Sequence, residues 1–156
     1  SVTRKLVSAL RDFKKSTGAE LFFLPFNPND LAAYSQLKKF INIGLIEEND
    51  PSKMMGIIKQ MEMFIGQRYH SLVFSAAART PFIYYGRNDK GQGIVSMTKQ
   101  LSVSYRSDNV FIHLDRFYEN RISYKNVLKH WMQQIEQDSI PEMINNILGL
   151  YSLDKK

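Results

Sequence analysis

Cysteine is absent from the 156 residues, which excludes a disulfide framework and any thiolate metal site. Histidine occurs three times, and His113 and His130 stand 43 and 60 positions from His70, far from metal-ligand spacing. Apolar residues never run to the roughly 18 that a membrane-spanning helix needs. Blocks of Lys and Arg of nucleic-acid type are missing, since the basic residues are scattered and run together only as short pairs such as Lys14-Lys15, Lys38-Lys39 and Lys155-Lys156. The phosphate-loop order Gly-x4-Gly-Lys-Ser/Thr is missing too. No internal repeat, low-complexity tract or linker marks a domain boundary. These absences fit an intracellular, single-domain protein, for which no metal, no cofactor and no nucleic-acid partner is expected.

What is present is ordinary for a globular chain: 44% apolar and 23% charged residues. A domain of this length buries roughly 70% of its unfolded surface, enough for a real core. The net charge of +6 suits phosphorylated substrates or anionic lipid.

Hydrophobic spacing predicts a helix over about 3–16 through Leu6, Leu10 and Phe13, then a short buried strand, Leu21–Leu24. Asn27-Pro28-Asn29-Asp30 is turn chemistry at a helix start, and Leu31, Tyr34, Leu37 and Ile41 make the next helical face. A weak strand follows at Ile43–Ile46. Asp50-Pro51 reads as a cap opening a helix through Met54, Ile57, Ile58 and Met61. Met63-Phe64-Ile65 is strand-like and stops at Gly66, a helix is expected over 67–79, and Phe82–Tyr85 is a strand led by Pro81. A helix over about 90–100, a strand at Val110-Phe111-Ile112, and a helical stripe Tyr124, Leu128, Trp131, Ile135 come next. Ser139-Ile140-Pro141-Glu142 has capping-box spacing before a last helix with Met143, Ile147 and Leu150. Short, non-alternating apolar strands separated by helices predict an α/β fold: a parallel sheet flanked by helices.

In open parallel sheets, ligands bind beyond the carboxyl ends of the strands. Two predicted strands exit at Gly66 and Gly86, which directs attention to the residues after them. Gly66 permits a tight turn. The first turn of the next helix offers unpaired N–H groups to an anion. Arg68 could grip a carboxylate or phosphate, and His70 is the acid–base candidate, because imidazole titrates near neutral pH. On spacing alone the plainer roles, a structural histidine and a surface cation, stay ahead. Lys90 sits in a polar, glycine-containing turn after Tyr85, where an ammonium could hold phosphate or simply face solvent. Asp30 is read as a helix cap before anything catalytic.

The run Glu62-Met63-Phe64-Ile65-Gly66-Gln67-Arg68-Tyr69-His70-Ser71-Leu72, then Thr80-Pro81-Phe82-Ile83, then a Tyr and Lys90, resembles the polysaccharide pyruvyl transferase family. The upstream Phe23-Leu24-Pro25-Phe26 with Asp30 is similar to the family's earlier strand and acidic turn. The resemblance covers about residues 3–105, with Tyr69 where the family usually has a Leu-like residue and Glu62 in place of the usual Asp.

The resemblance implies a Rossmann-like domain that is one half of a glycosyltransferase-B-like fold, with residues 1–156 as the C-terminal half of a two-domain cytoplasmic enzyme. The chain would then have little activity by itself. The implied donor is phosphoenolpyruvate and the acceptor a saccharide, with a pyruvate ketal as product. His70 would be the catalytic residue, and Arg68, Lys90, Gly66 and Tyr85 would bind substrate. The basic surface would suit a peripheral place at the inner face of a membrane. Two rivals stay open: a nucleotide-sugar-dependent glycosyltransferase of the same fold, and a non-catalytic binding domain with a basic surface.

Overall fold

The computed structural model describes residues 4–135. They group into two compact units, one of residues 4–48 with Tyr105–Arg116, the other of Asn49–Ser104 with residues 117–135. The helix expected around Met143, Ile147 and Leu150 lies outside the described residues.

In the first unit, Leu6, Ala9, Leu10 and Phe13 recur at helical spacing and form the buried face of α1 (Arg4–Thr17). Short strands β1 (Phe22–Phe23) and β2 (Gly44–Leu45) pair in parallel, with Phe22 opposite Gly44. Between them a 3-10 turn, Pro28–Asp30, leads into α2 (Leu31–Leu37). The Asp30 carboxylate accepts from the backbone N–H of Phe26 and of Asn27, each at 3.0 Å, while Asn27 caps from the other side. Asp30 therefore serves as the acidic member of a capping box. Lys5 donates to Asp108 at 2.5 Å, and that bond and charge hold the Asp108 carboxyl below its usual range. The pair is solvent-exposed, and such pairs add little to stability.

Val110-Phe111-Ile112, expected as a strand, opens helix α6 (Val110–Glu119) instead. Val110, Leu114 and Phe117 are buried whereas Ile112 is exposed, so the period is helical. The apolar triplet alone carries no period long enough to distinguish the two.

The second unit holds the main sheet. Asp50 caps α3 (Pro51–Lys59), accepting from Ser52 and Lys53 N–H at 2.8 and 3.2 Å. Then come β3 (Phe64–Gly66), α4 (Tyr69–Ala77), β4 (Phe82–Tyr85), α5 (Asp89–Thr98), β5 (Leu101–Val103) and α7 (Arg121–Ile135). The three strands are parallel in the order β3-β4-β5, with Gly66 opposite Tyr84 and Tyr84 opposite Ser102. Parallel sheets flanked by helices are thus present as expected. β5 was not expected: Leu-Ser-Val is too short to announce a strand, and it is the ladder offered by β4 that recruits it.

All four residues of β4 are buried, which places it at the centre of its sheet. Phe82 and Tyr84 join Leu72, Val73, Ala76, Ile94, Val95 and Leu128 in one apolar cluster, with Trp131 packed against it. Gln100 fixes the start of the strand: its Oε1 accepts from Phe82 N–H at 3.2 Å, and its Nε2 donates to Thr98 O and Tyr124 O at 3.2 and 3.1 Å. No helix among the described residues is long and apolar enough to cross a membrane.

Candidate active site

Because the three strands of the second unit run parallel, their carboxyl ends lie on one edge of the sheet. β3 delivers Gly66 there and β4 delivers Tyr85. The chain then turns into α4 and α5, carrying Arg68 and His70 from the first turn and Arg87 and Lys90 from the second. Gly66 is required by close packing, since a Cβ there would stand 2.6 Å from Ser71 Oγ and 2.7 Å from Leu72 Cδ2. Removing the side chain lets the first turn of α4 fold back onto the strand end.

Arg68 is the residue before α4, with an extended backbone at φ −103°, ψ 140°. Two residues apart inside a helix, Arg68 and His70 would face different ways, but Arg68 lies in the turn, where that restriction does not apply. Ser71 locks this turn: its hydroxyl donates to Arg68 O at 2.6 Å. His70 lies in the first turn of α4, exposed, with its ring edge-on to Tyr69 at 5.9 Å between centroids.

The second turn is built round Tyr84. Its ring is 1% exposed, yet its hydroxyl accepts from Asn88 N–H at 2.7 Å. Asn88 in turn caps α5, its Oδ1 accepting from Gly91 N–H at 2.8 Å. Lys90 stands exposed in the first turn of α5. Tyr85, proposed from sequence as a substrate contact, is buried in the sheet at 1% exposure. Sequence reasoning missed Tyr84. Strand alternation puts Phe82 and Tyr84 on the face toward the α5 side of the core and Ile83 and Tyr85 on the other, but both faces are buried, so the sequence does not mark which of them meets α5.

Glu62 lies at the amino end of β3, away from Gly66, and meets Arg121 Nε of α7 at 3.5 Å. His130 pairs with Gln134 through its Nε2 at 3.1 Å. Among the described residues no group of three or more His, Cys, Asp or Glu gathers to hold a metal.

Gly91 and Gly93 make opposite predictions on one helix. A Cβ at Gly91 would come 2.6 Å from Tyr84 Cε1 and closer still to Cζ, against a ring held by the core. Overpacking of that kind costs about 1–3 kcal/mol, against a helix-propensity gain of about 1 kcal/mol for Ala over Gly. Gly91→Ala should therefore destabilise. A Cβ at Gly93 meets nothing within 4 Å, so Gly93→Ala should stabilise. Urea midpoints test the pair, and a Gly91→Ala variant firmer than wild type would refute the packing argument.

A family model described as polysaccharide pyruvyl transferase matches residues 1–89. The chain belongs to that family. The matched span includes Gly66, Arg68, His70 and Tyr85, and ends one residue before Lys90. No curated protein and no solved structure matches the chain. Family membership makes the pyruvyl transferase reading one of a transferase in polysaccharide biosynthesis, with a polysaccharide acceptor.

Proposed function

We propose that the protein transfers a pyruvyl group from phosphoenolpyruvate to hydroxyls of a cell-surface saccharide, at the carboxyl edge of the β3-β4-β5 sheet. One observation carries the reading. The Gly66–His70 turn lies inside the family-matched span, and its strand pairs directly with the strand that leads to Lys90.

The chemistry matches these residue types. A sugar hydroxyl adds to the enol carbon, and the double-bond electrons take up a proton at the methylene, which becomes a methyl. A second hydroxyl of the same sugar then bonds to that carbon as its bond to phosphate breaks. Phosphate leaves with the electron pair, the second hydroxyl loses its proton, and a ketal remains. His70 takes and gives the proton in the addition. Arg68 and Lys90 hold the carboxylate and phosphate as charge redistributes. Gly66 lets the first turn of α4, which carries His70, close onto the strand end, and Tyr85 anchors the end of β4.

We further propose that a second Rossmann-like half completes the site, as the family resemblance implies. Incubation with phosphoenolpyruvate and a saccharide acceptor should then release phosphate and yield a ketal methyl signal by NMR when both halves are present, and little with the 156-residue chain alone. Substantial transfer by the chain alone would overturn the two-half proposal. Binding of a nucleoside diphosphate with none of phosphoenolpyruvate would overturn the donor and favour a nucleotide-sugar enzyme.

A further inference from the structure

We propose that Tyr84 is a positioning residue of this site, holding the turn between β4 and α5 in the conformation that presents Lys90. The inference rests on the assignment of Lys90 as a contact to the anionic donor.

The ring of Tyr84 is fixed from below by the core, where it packs with Leu72, Phe82, Ile94 and Leu128. A phenylalanine would fill that space equally well. The hydroxyl is what differs, and it reaches out of the core to the backbone N–H of Asn88. Buried tyrosines place their hydroxyl on a partner, and the choice of partner decides what is held. Here the partner is an amide of an exposed turn, two residues before Lys90. The same Asn88 caps α5 through its side chain, so the hydroxyl fixes the residue from which the helix starts.

The turn also closes round the ring. Cβ atoms at Gly86 and Gly91 would each come 2.6 Å or nearer to Tyr84 ring atoms. Glycine on both sides lets the backbone lie against the phenol, and the hydrogen bond then selects one placement of the turn. Tyr84 acts through Lys90 and needs no contact with substrate.

Tyr84→Phe tests this by removing the hydroxyl alone. Two quantities are read: amide exchange at Asn88, and phosphoenolpyruvate affinity followed through the Lys90 side-chain NMR signals. In the wild-type protein the Asn88 amide should exchange slowly despite its exposed position. In Tyr84→Phe it should exchange faster, the donor Kd should rise on the order of tenfold, the size of one lost hydrogen bond, and the donor-induced Lys90 shifts should shrink. Lys90→Ala should weaken the donor at least as much while Asn88 stays protected. Unchanged affinity and Lys90 shifts in a folded Tyr84→Phe protein would overturn the proposal. So would rapid exchange of Asn88 in the wild type, a measurement that stands even if the variant folds poorly. A wild-type protein, with both halves present, that binds no phosphoenolpyruvate refutes the donor assignment instead, and the exchange data then judge the hold on the turn by themselves.

Discussion

Replacing His70 with Ala should lower turnover in the proposed reaction, assayed with the proposed second half present, by about 10²–10⁴-fold, the usual share of a general acid–base group. The reason for expecting so large an effect on rate and so small an effect on folding is where the side chain sits. His70 is exposed in the first turn of α4, while the buried face of that helix is carried by Leu72, Val73 and Ala76. Alanine is also the best helix former, so the backbone gains if anything. Turnover and thermal midpoint should therefore separate: the first falls by orders of magnitude, the second barely moves. Arg68→Ala should differ in kind, raising the donor KM, because a cation that holds the donor, the role proposed for Arg68, acts in the ground state as well as in the transition state. Turnover of His70→Ala within about threefold of wild type would remove His70 from the chemistry.

The largest expected loss of stability is at Leu128. It is fully buried on α7 and meets residues of α4, β4 and α5 in a single cluster. Leu128→Ala removes a fully buried side chain from a cluster shared with α4, β4 and α5 and leaves a cavity in a close-packed core. Deletions of this type cost about 2–5 kcal/mol. Against a net stability of roughly 5–15 kcal/mol for a domain, that is a substantial fraction. Trp131, the chain's single tryptophan, packs against the same cluster and reports its unfolding by fluorescence. A urea midpoint corresponding to less than about 1 kcal/mol of loss would mean that α7 is not integral to this core.

The α/β alternation was legible because each long helix repeats its apolar face several times, as α1 does through Leu6, Leu10 and Phe13. The strands β3 and β4 were legible because Gly66 and Gly86 punctuate them. Three-residue runs defeated the same logic. Val110-Phe111-Ile112 and Leu101-Ser102-Val103 each fall short of one helical turn and cover barely more than one strand repeat, so neither period repeats and tertiary neighbours decided one as helix and the other as strand. At the candidate site, Arg68 and His70 stand out in the sequence by residue type and by their place after a glycine. The role of Tyr84 could not. Choosing between Tyr84 and Tyr85 requires knowing which face of β4 looks toward α5, and a strand buried on both faces shows no polar side in its sequence.

The Gln100 amide and the Tyr84 hydroxyl have a joint mechanical consequence. One clamps β4 at its first residue to the end of α5 and to α7, and the other clamps the start of α5 to the strand's third. β4 is therefore a strut braced at both ends by side chains, and α5 spans the same two braces. Sliding of the strand along its axis would have to break both at once. The height at which Lys90 stands above the sheet is accordingly set by the length of a strut rather than by the slack of a loop.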